Sequence, residues 1–491
     1  MGYTGTTKGM SRTMEDRRRL PEAFCMRMEG LLGAEWNAFL ASYDENRYYG
    51  LRRNPLKSSA ERFMEQMPYA LEKVSWAEEG YYYGTEDHPG KDVLHEAGLY
   101  YIQEPSAMAV AQILDPQPGE RVLDLCAAPG GKSTQIAGRM RGEGLLVANE
   151  VIPDRAGILS QNVERMGIKN CVVCNEEPER MAERFPGFFD RIVVDAPCSG
   201  EGMFRKDETA VEQWSEAHVQ MCADRQLMIL REAAKMLRLG GVLVYSTCTF
   251  APDENEGVIS RFVEERDDFV IEEVPHDTAF APGREEWTAQ PAPGLERTMR
   301  LWPHRLKGEG HYIARLRRSG RKEEAVSDSV WSHGRISGGR DRRRTDVKQK
   351  KQAEVLQEFL VKELGLGEDW LAEQRGRVEL FGEQLYLVPE EMIPVQGMKI
   401  RRPGLHLATE KKNRLEPAHA LALALTTAET DRSLELSQEE AVRYLRGESL
   451  VCDSRKGWTL LTYRGYPLGF GKASGGQMKN HYPKGLRKSL F

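Results

Sequence analysis

Val122–Thr134 reads VLDLCAAPGGKST, and its reading decides the fold. The first residues form a buried strand, Pro129-Gly130-Gly131 make a tight turn, and a helix opens near Ser133. A strand that passes through a glycine turn into a helix is the cofactor corner of a doubly wound parallel sheet, at the carboxyl ends of its strands. Two phosphate-binding variants fail on spacing. A P-loop needs glycine where Cys126 stands, and the GxGxxG fingerprint is absent. The loop therefore suits a cofactor without a pyrophosphate.

Working outward, RVLDL, LLVAN, CVVC, RIVVD and GVLVYST read as strands. DRAGILSQNVERMG is an amphipathic helix. ADRQLMILREAAKMLRLG is a longer one, expected to stop at Gly240-Gly241. Alternating strands and helices predict an α/β domain with a parallel sheet covered on both faces. MRLWPH and HYIARL are expected to close an antiparallel edge near residue 317. Upstream lies a mixed region with a helix around Pro21–Asn46. Downstream come a basic stretch, an α+β unit over about 350–410, and a last unit, from near Arg414, whose end is strand-turn-strand.

The chain of 491 residues is too long for one ordinary domain. Hydrophobic content of 40% and charged content of 29% fit a folded globular protein. No apolar run reaches the roughly 20 residues of a membrane span. The N-terminus lacks a signal peptide's apolar core, so a cytoplasmic location is expected. The net charge of −6 is uneven: Arg305–Lys351 holds 15 Lys and Arg against 6 Asp and Glu, a local +9 that leaves −15 elsewhere. Such a stretch can attract a polyanion or serve as a solvated linker, and the two are compatible. The 8 cysteines are expected as free thiols. Cys171 and Cys174 lie in a strand with no partner pair at zinc spacing, so packing is expected and no metal site.

The chemistry gathers at strand ends. Glu150 closes the second strand, where a carboxylate can accept both hydroxyls of a ribose, and Asp195 points into the same crevice. Cys198 in DAPCSGEGMFRKD and Cys248 in VYSTCTF each follow a strand directly, in a polar loop. Cysteines ordinarily pack in cores, but these loops lie where such a sheet presents catalysis. A thiolate is the natural nucleophile for carbon 6 of a pyrimidine, which is weakly electrophilic. Its attack makes carbon 5 able to take a methyl group from a sulfonium. A second base must then remove the carbon 5 proton. Two cysteines and a carboxylate satisfy that requirement.

LDLCAAPGGKST, VVDAPCSGEGMFRKD and YSTCTFAPDENE resemble the three signature motifs of the Sun/Fmu family of RNA 5-methylcytosine methyltransferases, in its multi-domain RsmF-like form. GLYYIQEPSAM and LRRNPLK resemble segments that this family carries ahead of the cofactor loop. The resemblance covers about residues 30–317, and the C-terminal part looks like the family's appended domains. It implies a Rossmann-like class I methyltransferase sheet over 101–318, behind an N-terminal α+β RNA-binding extension over 1–100. A basic linker (319–352), a small α+β domain (353–412) and a PUA-like RNA-binding domain (413–491) would follow. The implied activity is S-adenosylmethionine-dependent methylation of carbon 5 of cytosine in RNA, with small-subunit ribosomal RNA favoured and tRNA the runner-up.

The resemblance also implies roles. Cys248 would attack carbon 6, and Cys198 would help release the product, as base or by relay. Asp195 would hydrogen-bond the cytosine and border the methionine end of the cofactor. Cys126, Ala127, Ala128, Pro129, Gly130, Gly131 and Lys132 would wrap S-adenosylmethionine, Cys126 through its backbone, with Lys132 also facing the RNA. Glu150 would hold the ribose. Glu177, by spacing, stands where the family has an Asp near the adenine.

Three segments are candidates for gripping RNA. RYYGLRRNPLK brings together Tyr48, Tyr49, Arg52, Arg53 and Lys57, types that hold phosphates and stack bases. The alternative is a solvated face with a buried aromatic. Arg205 and Lys206 are expected to hold the phosphate beside the target, and Tyr463–Arg487 to face RNA. The target cytosine must leave its stack, which favours exposed or single-stranded RNA. An assembly factor that has lost its chemistry would show a broken motif, and none is broken. A DNA cytosine methyltransferase would carry its nucleophile in the loop of Cys198; the TC pair at Cys248 and the C-terminal module argue against it.

Overall fold

Ten strands form the central sheet: β1 Arg121–Asp124, β2 Leu145–Asn149, β3 Cys171–Cys174, β4 Phe189–Asp195, β5 Leu237–Thr247, β6 Phe269–Ile271, β7 Ala281–Pro282, β8 Met299–Leu301, β9 His311–Arg318 and β10 Ile400–Arg402. The computed structural model describes residues 20–320, 341–394, 397–412, 414–453 and 455–487, with backbone alone for 341–351. The basic linker expected over 319–352 thus lies outside the described residues apart from its two ends.

The sheet order is β7-β8-β9-β5-β4-β1-β2-β3-β10, with β6 also on β9. From β5 to β3 the strands are parallel. β9 runs antiparallel to β5, giving the edge expected near residue 317. β2 and β3 are buried throughout, as strands covered on both faces must be. Alternate residues serve opposite faces: Leu123, Leu145 and Val147 join one core, while Val122, Leu146 and Ala148 join the other. Cys171 and Cys174 likewise fall into different cores, so they cannot share a metal ion. Among the described residues no three His, Cys, Asp or Glu side chains converge as metal ligands, and no helix is long and apolar enough to cross a membrane.

Two helix boundaries differ from expectation. The long helix Glu216–Met236 ends before Gly240, because Leu237 is buried and already pairs with Phe189 in β4. The helix expected over Pro21–Asn46 is broken into Glu22–Leu32 and Trp36–Ser42 at Gly33, whose φ of +51° a continuous α-helix does not accept, with a 3-10 turn over Gly33–Glu35 between them.

Ahead of the central sheet, Glu72–Lys73, Gly80–Tyr83, Tyr49–Arg53 and Tyr100–Ile102 pair in that order as a four-stranded sheet. Behind it, Gly376–Phe381, Gln384–Pro389, Leu405–Lys411 and Arg414–Pro417 form a second four-stranded sheet. The domain boundary expected between 412 and 413 therefore falls inside a pair of hydrogen-bonded strands. The unit expected over 353–412 also sends a strand elsewhere: β10 pairs with β3 and extends the central sheet. A five-stranded sheet closes the chain. Its Leu461, Tyr466 and Met478, with Tyr444 from the helix Gln438–Leu445, share one apolar core with Leu51, Phe63, Tyr81 and Tyr100, so the last unit packs on the first.

Candidate active site

The loop after β1 turns at Gly130, whose φ of +112° demands glycine, and Gly131 opens the helix Gly131–Arg139. Side chains from neighbouring elements hold the loop carbonyls. Asn162 Nδ2 donates to Pro129 O at 2.8 Å and Arg155 Nη2 to Ala128 O at 2.9 Å. Arg52 Nη2 donates to Gly131 O at 3.2 Å and to Thr134 Oγ1 at 2.7 Å. These bonds fix the shape of the loop.

Three carboxylates surround it. Asp124, at the end of β1, accepts the Ser133 hydroxyl at 2.6 Å through Oδ2, while its Oδ1 is buried without a partner. Burial pushes this carboxyl up to about 7, with Asp195 adding and the Ser133 bond opposing. Glu150 is buried, accepting Ile152 N–H at 3.0 Å and pairing with Arg155 at 3.2 Å. The third is Asp195. Burial raises the Cys126 thiol, and all three acids add to it, so Cys126 stays protonated. One ammonium, on Lys132, lies among them. Lys132 pairs with Asp195 and Arg155 with Glu150, so each of these two acids is matched by a cation.

Glu177 is exposed at the start of the helix Pro178–Arg184. The buried acid after β3 is its neighbour Glu176, whose Oε1 accepts Lys399 N–H at 2.6 Å from the segment leading into β10.

Beyond the loop, β4 and β5 end side by side and bring Cys198 and Cys248 together, Sγ to Sγ 3.3 Å. Both thiols are free and half-buried. The hydrogen bond with Cys248 raises the Cys198 thiol well above its ordinary range, and burial adds to it. Cys198 therefore keeps its proton. Asp195 Oδ2 receives Lys132 Nζ at 2.7 Å and Oδ1 receives the Ser246 hydroxyl at 2.8 Å. Burial alone would raise this carboxyl; Lys132 and His311 outweigh it and hold it well below the usual carboxylate range.

Two buried glutamates in the same loops had no reading in the sequence. Glu254 accepts Ser199 N–H at 2.9 Å and Gln226 Nε2 at 2.8 Å, and the Ser199 hydroxyl bonds it as well. Ser199 Oγ also meets Thr249 Oγ1 at 2.8 Å, so the neighbours of both cysteines are tied together. Burial pushes Glu254 up to about 7 against the Ser199 bonds. Glu201 takes Arg27 at 2.6 Å, Trp214 Nε1 at 2.9 Å and Phe250 N–H at 3.0 Å. Both glutamates stand inside the motif stretches, but only the fold turns them inward.

The expected RNA grips are largely built into the packing. Arg52 is fully buried, with Nε donating to Gln103 Oε1 at 3.0 Å. Arg53 Nη1 bonds Ser58 O, and Lys57, half-buried, turns its ammonium onto Ala97 O. Arg205 is buried against Glu309 at 3.5 Å, so it does not reach out for a phosphate; Lys206 beside it is exposed. Tyr463, Tyr466 and Tyr482 are buried in the core shared with the first unit, while Lys479, Lys484 and Arg487 are exposed. These arginines and tyrosines are corrections to the sequence reading: each saturates a local carbonyl, carboxylate or apolar contact.

Known proteins match nearly the whole length of the chain. Residues 111–317 match the model of the 16S rRNA methyltransferase RsmB/F family, and residues 20–105 that of the N-terminal domain of 16S rRNA methyltransferase RsmF. Residues 361–425 match the RsmF rRNA methyltransferase first C-terminal domain, and 431–488 the RsmF PUA domain. Ribosomal RNA small subunit methyltransferase F of Psychromonas ingrahamii is 30% identical over 493 residues, covering 96% of this chain and 98% of that protein. The chain belongs to the 16S rRNA methyltransferase RsmB/F family. A second member with that name, from Klebsiella pneumoniae, is 33% identical over 95% of this chain and 96% of its own. Among solved structures, a methyltransferase homologue from Pyrococcus horikoshii superposes with a TM-score of 0.56 at 28% identity, covering 63% of this chain and 100% of that one. The RsmB/F models stop at the four units seen here, with the gap between 317 and 361 falling on the basic stretch.

Proposed function

We propose that this RsmB/F-family methyltransferase transfers a methyl group from S-adenosylmethionine to carbon 5 of cytosine in small-subunit ribosomal RNA, through a covalent bond between Cys248 and carbon 6. The observation that carries the reading is the pair of thiols 3.3 Å apart at the ends of adjacent strands, beside a carboxylate clamped by an ammonium.

S-adenosylmethionine fits the donor set of the loop. Its sulfonium and ammonium are cations, which suits a corner with three carboxylates, and its ribose diol suits Glu150. Asp124 Oδ1 is a buried acceptor left for a donor. Ala127 through Lys132 would wrap it, with Cys126 contributing backbone alone. Glu177 is the weaker part of this set, being exposed, and the adenine end falls to the segment that also holds Glu176. When bound, the cofactor supplies the methyl group as an activated sulfonium.

The chain's own residues then divide the reaction. Asp195, held ionised, accepts from the cytosine amine, which uracil lacks. That acceptor favours cytosine. Lys132 keeps Asp195 oriented. Cys248 attacks carbon 6 as its thiolate, and Cys198, 3.3 Å away, is kept for the release step. After methyl transfer Cys198, beside the sulfur that must depart, serves removal of the carbon 5 proton, as base or by relay. Glu254 and Glu201 keep the two loops in register. The names of the relatives support ribosomal RNA of the small subunit as the substrate.

The test is Cys198→Ala. Incubated with cofactor and unmodified small subunits, it should accumulate a protein–RNA adduct that survives denaturation, because release is blocked while attack is not. Free turnover in that variant would remove Cys198 from the release step. Bisulfite sequencing of the product locates the cytosine.

A further inference from the structure

His311 opens β9 opposite Leu301, and its ring is buried. Nδ1 faces the Gly310 carbonyl oxygen at 3.3 Å; Nε2 faces Asp195 Oδ1 at 3.6 Å and has no hydrogen-bond partner. Both nitrogens thus confront oxygens that only accept. The carboxylate is the stronger acceptor, so Nε2 is the nitrogen that must carry a proton. The backbone holds the ring there tightly. Gly310 has φ +101°, and a Cβ on it would lie 2.5 Å from the Phe250 ring. A Cβ on Gly202 would likewise lie 2.8 Å from Cys248 O and 3.1 Å from Glu309 O. The His311 segment is therefore moulded to both cysteine loops.

We infer that His311 is a positioning residue, closing its Nε2–H onto Asp195 when the cytosine binds. This rests on the reading of Asp195 as the carboxylate that holds the base. At 3.6 Å the contact is longer than a hydrogen bond, and catalytic hydrogen bonds commonly tighten in the complex. With Lys132 on Oδ2 and Ser246 and His311 on Oδ1, the carboxylate has one orientation and one set of lone pairs for the base. The tilt of the ring sets the approach of Cys248 to carbon 6. Loss of that tilt acts on the chemical step more than on RNA affinity, which other contacts supply.

The experiment compares His311→Phe, His311→Asn and His311→Gln in the full chain, with unmodified small subunits as substrate. Phe removes the donor, Asn is too short to reach, and Gln can present an N–H near the Nε2 position. Phe and Asn should lower kcat about 10- to 100-fold with KM for RNA nearly unchanged, and Gln should recover most of kcat. Full activity of the Phe variant, a loss confined to KM, or equal kcat for Asn and Gln would overturn the inference. If Phe does not fold, as judged by thermal unfolding, the Asn–Gln pair decides alone. An Asp195→Ala variant that keeps full kcat would instead overturn the underlying reading of Asp195, so the two failures are distinguishable.

Discussion

The loops after β4 and β5 and the segment Arg47–Lys57 look equally functional as strings of side chains, yet the fold uses them in opposite ways. In the loops, two thiols meet half-buried beside Asp195, with their backbone held by buried glutamates. In the segment, Arg52 is fully buried and turns Nε and Nη2 onto Gln103, Gly131 and Thr134. A buried cation is tolerated only when hydrogen bonds replace its water. Arg52 is thus a brace between the first sheet and the cofactor loop. A reactive group needs the reverse condition: a rigid surround and an open face. The difference teaches that residue type nominates a site, and burial decides between grip and brace.

The largest effect should come from Cys248→Ala, which ought to lower single-turnover methyl transfer by about 10^4-fold or more while unfolding at the wild-type temperature. Retained transfer would break the comparison on its reactive side. The brace side predicts a stability effect without a kinetic one. Burial pushes the Lys57 ammonium down to about 7, with Arg165 adding to it. The unfolded chain then holds a proton that the folded one has released between about pH 7 and pH 10, so stability should rise with pH across that window. The slope is less than about 1.4 kcal/mol per pH unit, because the side chain is half-exposed along its stem. Lys57→Met should flatten the rise, measured by urea unfolding at pH 7.5 and 9.5 (roughly the two ends of the window), with kcat unchanged. A rise that persists would assign it to another group. The smallest effect sharpens the contrast between neighbours. Lys206→Ala should weaken RNA binding a few-fold and reduce the salt dependence by about one counterion. Arg205, buried on Glu309, should instead cost stability when truncated. Equal salt slopes for Lys206→Ala and wild type would remove Lys206 from the RNA path.

The sequence by itself determined the parallel sheet, its antiparallel edge and the candidate residues at its strand ends. These are local matters: apolar runs, a glycine turn, and the rule that loops at the carboxyl ends carry the chemistry. The motif stretches also held Glu201 and Glu254, but nothing in their spacing distinguishes a loop carboxylate that turns inward from one that faces water. His311 was legible only as part of an edge strand. Its approach to Asp195 depends on how β9 docks beside β5, a pairing of residues more than sixty positions apart. The same holds for β10 on β3, and for the last unit packed on the first. Periodicity reports which face of an element is apolar; it does not report which other element covers that face. Tertiary packing alone decided that Arg52 braces, that Lys206 stays in water, and that two cysteines fifty positions apart share one hydrogen bond.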